Sequence, residues 1–259
     1  MIRYLRVNVL GRWYRHLGRI AFNCMSKEAS LHHLIETSAA RAPILAHSPI
    51  GITGFGGFTS AHIGSITEDM PGRIIYEAAT AIGATSPFLH QALERAKARY
   101  QLDSGKLLGF LTKNPFFPAH SHALLKEGVD AWFGQNFVKA IHVLVPQVEA
   151  ALREILIAMG ESAVRPNKES GGFEVLPMGS VLHTESFRTR FDATARLHLR
   201  ALYAEAKGLN LRNKLAHGVL GENFLGRGIA NWVVHSLLLI GSMSIASKPP
   251  QPRTWTKDE

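Results

Sequence analysis

Cysteine is nearly absent: Cys24 is the only one in 259 residues. No intrachain disulfide can form, a cysteine-rich zinc site is excluded, and a reducing compartment, the cytoplasm, is the expected setting. Phosphate-binding glycine motifs are missing as well. The string Gly-x-x-x-x-Gly-Lys-Ser/Thr occurs nowhere, which argues against nucleotide binding through a P-loop. The run Gly54-Phe55-Gly56-Gly57-Phe58-Thr59 lacks the last small residue of a dinucleotide fingerprint, and no strand-like apolar run leads into it. Its glycines read as turn formers. His120 and His122 have no further ligand at metal-binding spacing, so neither a metal nor another cofactor is expected. Acids are scarce, 20 against 29 lysines and arginines, for a net charge of +9. That excess favours polyanions, nucleic acid before anionic membrane, without conferring specificity.

What is present describes a folded chain. Hydrophobic residues make up 46% and charged residues 19%, proportions of a globular protein, and the length suits one large domain or two small ones. Residues 1–27 contain six basic side chains and no acid, and they lack the apolar core of a secretory signal. Their apolar residues Ile2, Leu5, Val9, Trp13, Leu17, Ile20 and Cys24 step by three or four along one helical face. Such a face either packs on the next helix or lies on a membrane or targeting surface.

Further along, residues 27–41 read as a second helix with Leu31, Leu34 and Ile35 as its stripe. Pro71 and Gly72 open a helix over 73–82, and Pro87 starts another that runs to Tyr100. Asn114-Pro115-Phe116-Phe117-Pro118 reads as a rigid linker. The strongest helix is 135–159, where Phe137, Ile141, Leu144, Val148, Leu152, Ile155 and Met159 form a core-facing stripe that Pro146 should bend. On it, Glu149 either forms a surface pair with Arg153, four residues on, or hydrogen-bonds across the bundle. Residues 161–172 read as a loop.

A helix is expected over 185–207. It carries one apolar stripe and, about 110° around, a second made of Arg196, Arg200, Tyr203 and Lys207. A basic stripe with one aromatic suits a nucleic-acid backbone, the alternative being a solvated face. Residues 229–246 are almost wholly apolar and about 27 Å long as a helix, near the thickness of a bilayer core. Asn231, His235 and several serines dilute the run, so a buried bundle or interface helix is preferred over membrane contact. Residues 247–259, with three prolines and five charges, read as a disordered tail.

The segment 208–218, Gly-Leu-Asn-Leu-Arg-Asn-Lys-Leu-Ala-His-Gly, gathers the chemistry. Asn210 is placed as the N-cap of a short helix, with Arg212 and Asn213 in its first turn beside free backbone N–H groups that favour an anion, and Lys214 is counted with the nucleic-acid-binding side chains. Asn213 and His217 share a face, whereas Arg212 points about 140° away from His217. One helix therefore cannot aim both groups at one atom, and a bent helix end or a second copy of the chain would have to complete the site.

Arg212, Asn213, His217 and Gly218 spell Arg-Asn-x-x-x-His-Gly, which resembles the R-x4-6-H motif of the HEPN superfamily (higher eukaryotes and prokaryotes nucleotide-binding). The resemblance is to the branch shared with an endoplasmic-reticulum-membrane-associated RNA degradation protein. It extends upstream to the helix bearing Pro146-Gln147-Val148-Glu149 and covers roughly residues 113–240. It implies an all-α fold: a helical N-terminal region over 1–112, then a HEPN-like four- to five-helix bundle over 113–246. Related chains are often longer, which implies that the first region ends a larger domain. It implies a homodimer with Arg212, Asn213 and His217 of each copy at a shared cleft. There RNA would be cut without metal, leaving a 2′,3′-cyclic phosphate. Histidine titrates near ~6.5 and can give or take a proton at neutral pH. Arginine stays charged and grips phosphate oxygens. The alternatives are a binding or dimerisation module without catalysis, one with membrane contact through 229–246, or a purely structural Arg212–Glu149 pair with His217 in the core.

Overall fold

A computed structural model describes residues 4–7 and 12–246. The chain runs β1 (Tyr4–Val7), α1 (Arg12–Asn23), α2 (Glu28–Arg41), α3 (Pro43–His47), β2 (Ile50–Thr53), β3 (Thr59–Ile63), α4 (Met70–Tyr100) and α5 (Ser104–Leu111). It continues through α6 (His122–Phe133), α7 (Phe137–Ala158), β4 (Val164–Pro166), β5 (Phe173–Val175), α8 (Met178–His183), α9 (Glu185–Arg190) and α10 (Ala193–Leu199). A π-helical turn (Arg200–Ala204), α11 (Leu211–Ala216), α12 (Arg227–Gly241) and β6 (Met243–Ala246) complete it. Among the described residues helix predominates and the six strands are short, so the all-α expectation holds at the level of class. The strands form three antiparallel pairs, β1 with β6, β2 with β3 and β4 with β5.

α7 and α12 form the centre. α7 buries Ile141, Leu144, Val148, Leu152 and Ile155 completely, the stripe its sequence spacing dictates. Asn136 caps its start, its side chain accepting from the Lys139 amide at 3.1 Å, which satisfies one of the donors a helix leaves free. α6 lies so close to α7 that a Cβ on Gly128 would sit 2.4 Å from the Leu144 side chain. Only glycine permits that approach. α12 is buried all round, from Ala230 to Ile240, as expected for a helix apolar on every face.

Several sequence expectations need correction. The amphipathic start is not one helix: its described part is a strand followed by α1. α4 is a single helix of 31 residues with Pro87 inside it. The carbonyl that Pro87 leaves without a partner belongs to Gly83, which is exposed to water, so the break costs little. The 161–172 loop carries β4 and leads into a hairpin with β5.

The linker at 114–118 is packed, with Phe116 and Phe117 buried. The Asn114 side-chain Nδ2 donates to the carbonyls of Gly241 at 3.1 Å and Met243 at 2.8 Å, tying off the end of α12. The Trp232 indole of α12 donates to the Ile82 carbonyl of α4 at 3.0 Å. One hydrophobic core accordingly runs from Leu17 to Met243 across the expected boundary at residue 113. Among the described residues no helix is long and apolar enough to cross a membrane, and the 229–246 run is helix only as far as Gly241. The tail at 247–259 lies outside the described residues.

Candidate functional site

The approach to the motif is set by the π turn. The Glu205 amide donates to the Arg200 carbonyl at 3.0 Å, five residues back, and the Leu209 amide donates to Ala201 at 2.8 Å. Gly208 makes this fold-back possible, since a Cβ there would stand 2.3 Å from the Ala201 carbonyl oxygen. Asn210 then adopts a left-handed conformation, φ 52°, which asparagine tolerates better than most residues. Leu211, fully buried, anchors the start of α11.

Asn210 does not cap α11 with its side chain. Its Oδ1 accepts instead from Asn213 Nδ2 at 2.7 Å. Asn213 in turn accepts from Arg212 Nη1 at 3.3 Å. Arg212 donates from Nε to Glu149 Oε2 at 2.9 Å and from Nη2 to Oε1 at 3.3 Å, a two-pronged grip that fixes the plane of the guanidinium. Glu149 is buried; its Oε1 also accepts from the Met178 backbone amide at 3.0 Å and forms an ion pair with Arg153 Nη1, likewise at 3.0 Å. Glu149 thus makes both contacts that its sequence position allows, although the Arg153 pair is not a surface pair. Two guanidinium groups face one carboxylate, so the cluster carries net positive charge. Arg212 keeps 30% of its side-chain surface open.

His217 is placed differently. It caps the C-terminal end of α11, with its backbone amide on the Asn213 carbonyl at 3.0 Å, and it is exposed. Among the described residues its ring makes no hydrogen bond. Gly218 comes next with φ 65° and lets the chain leave the helix. One chain therefore joins Asn210, Arg212, Asn213 and Glu149 in a network and leaves His217 outside it: Arg212 and His217 point apart as their spacing requires, and Asn213, expected on the face of His217, turns to Arg212 and Asn210 instead.

No protein-family model, curated protein or solved structure matches this chain.

The expected basic stripe is largely dismantled. The helix over 185–207 is broken into α9, α10 and the π turn, and the extra residue in a π turn rotates all later side chains by about 100°. Tyr203 swings inward: it is fully buried, and its hydroxyl donates to Ser236 Oγ at 2.9 Å. Burial pushes its ionisation up. It cannot stack on a base. Arg200 is neutralised by Glu205, at 2.8 Å from Nε and 2.6 Å from Nη2. Lys207 is neutralised by Asp69 at 2.5 Å. Arg196 has a buried Nε without a partner, and burial, then the neighbouring Arg200, lowers its affinity for protons. Lys214, half-buried, is likewise shifted down by desolvation.

Sequence reasoning missed the Met178 amide and Asp69. The first is a backbone group with no residue signature. The second binds Lys207 across 138 positions, a separation no local pattern reports. Among the described residues no three metal-ligating side chains are gathered.

Proposed function

We propose that the Arg212–His217 segment is one half of a metal-independent RNA-cleaving site of HEPN type, completed by a second copy of the chain in a two-fold dimer. The observation that carries this reading is the fixing of Arg212 by a buried carboxylate that two arginines share. A positive, oriented guanidinium is thereby held at the start of a short helix whose other end carries an exposed imidazole. In the reaction one His217 takes the proton of the ribose 2′-hydroxyl, whose oxygen attacks the adjacent phosphorus. The bond from phosphorus to the 5′-oxygen breaks, and the partner's His217 protonates that oxygen. The products are a 2′,3′-cyclic phosphate and a 5′-hydroxyl end. The paired Arg212 side chains stabilise charge on the pentacoordinate phosphorus. Lys214, and Arg196 in part, remain to draw the backbone in.

In the test, RNA is incubated with chelator and with wild type, Arg212→Ala or His217→Ala protein, each checked for folding by circular dichroism. Cleavage should fall roughly 10²–10⁴-fold in both variants, while His217→Ala leaves stability within about 0.5 kcal/mol. Equal cleavage by all three proteins refutes catalysis. A second reading, binding without cleavage, rests on the net positive cluster of Arg212 and Arg153 about Glu149, and retention of intact RNA would reveal it.

A further inference from the structure

A second polar cleft lies where α4, the α6–α7 turn and the start of α12 meet, and it shares no residue with the Arg212–His217 segment. It encloses about 210 Å³. Two cations line it, each laid on an aromatic ring: Lys97 Nζ is 4.0 Å from the centre of the Trp132 ring, and the Arg227 guanidinium is 5.6 Å from that of Phe137. Such seating holds a long side chain in one place without consuming its hydrogen-bond donors. One acid, Glu94, lies in the cleft and pairs with Lys97 at 2.9 Å. Arg227 has no acid partner among the described residues. Among the described residues its side chain makes one hydrogen bond, a long one, 3.4 Å from Nη2 to the Gln135 side-chain oxygen. Two cations against one carboxylate leave the cleft with one net positive charge and a surplus of donors.

The turn that shapes the cleft is strained. Gln135 is held at φ 60°, which costs a residue with a Cβ about 1–2 kcal/mol. Strain of this kind gathers at ligand sites. The rear wall, by contrast, is finished: the Trp132 indole donates to Asn231 Oδ1 at 2.9 Å, and Asn231 is buried. Gln135 and Phe137 also border a second, more open groove of about 490 Å³, which contains one acid, Glu222. Positive character is therefore confined to the inner cleft.

We infer that this cleft binds the phosphate group of a small phosphate ester between Lys97 and Arg227, with the organic part lying over Phe137 in the outer groove. The inner cleft is smaller than the ~300 Å³ at which pockets for whole drug-sized ligands begin, so it suits a head group. A tetrahedral phosphate offers more acceptor positions than a carboxylate and better matches a fork, an ammonium and an amide. The site does not depend on RNA cleavage.

Isothermal titration of the full chain, in phosphate-free buffer of low ionic strength, tests it with orthophosphate, AMP, adenosine and acetate. Orthophosphate and AMP should bind saturably, with adenosine and acetate at least roughly tenfold weaker. Arg227→Gln and Lys97→Met should each weaken AMP roughly tenfold or more, the expected loss of a charge-assisted hydrogen bond. Arg227 is exposed, so its variant should melt like wild type. Arg212→Ala and His217→Ala should leave AMP binding unchanged, which separates this site from the cleavage proposal. Absence of saturable binding overturns the inference. So does an Arg227→Gln protein that binds AMP as tightly as wild type, adenosine or acetate matching AMP, or loss of AMP binding in the Arg212→Ala protein.

Discussion

Two buried polar clusters sit in this bundle, and they are built on opposite terms. Around Glu149 the carboxylate oxygens are engaged by Arg212, Arg153 and the Met178 amide. Around His198 and His235 the rings are packed instead: the two imidazoles lie 5.0 Å apart, each about 5 Å from Trp232. His198 Nε2 and both nitrogens of His235 lack a hydrogen bond of ordinary geometry. The Ala21 carbonyl lies near enough to His235 only to favour its protonated form weakly. The first cluster is held by direction and the second by shape. An arginine that must be aimed needs the former, whereas an aromatic-sized filler needs only the latter.

The hardest blow to this contrast is Glu149→Ala. It strands two guanidinium groups and an amide, and should cost about 3–5 kcal/mol. A urea midpoint showing a loss under about 1 kcal/mol would mean that water already serves these groups.

Acid comes next. Burial, then His235, lowers His198 well below the ordinary value for histidine. Burial brings His235 down to about 4, against ~6.5 in an unfolded chain. Between those values the unfolded chain binds more protons, so the fold keeps its full stability above pH ~6.5 and loses it as pH falls toward 4. His235 alone accounts for a loss on the order of 3 kcal/mol, and His198 acts in the same direction. Thermal midpoints measured from pH 7.5 to 4.5 should fall steadily, and a flat profile would place solvent or a partner at the pair.

The smallest effect is expected from His235→Leu. It removes two unpaired nitrogens from an apolar site, so at pH 7 it should be neutral or stabilise by up to about 1 kcal/mol. It should also flatten the acid limb. A loss as large as that of Glu149→Ala would erase the distinction between the clusters.

The sequence announces these clusters unevenly. The spacing from Phe137 to Met159 yields α7 and its buried face almost to the residue, because a strong 3.6-residue period records which side meets the core. Glu149 stands out as a carboxylate near that face, and its link to Arg212 is one of two readings its position permits. The histidine pair leaves no mark: His198 and His235 are 37 positions apart, and only the packing of α10 on α12 brings them together. Pro87 marks a helix start in isolation, yet tertiary packing carries α4 through it. The stripe from Arg196 to Lys207 misleads for a subtler reason. It assumes an unbroken period, and the wide turn at Arg200–Ala204 breaks the period without any proline or paired glycine to announce it.

That wide turn makes the neighbourhood intolerant of length changes in a way substitutions would not expose. Losing a single amino acid there would restore an ordinary coil and twist every later side chain by about 100°. Tyr203 would be carried out to water, and Leu209 would be taken off Ala201. Among relatives, an alignment gap at this point would therefore matter more than many exchanges of side chain, for it would decide whether Arg212 can reach Glu149 at all.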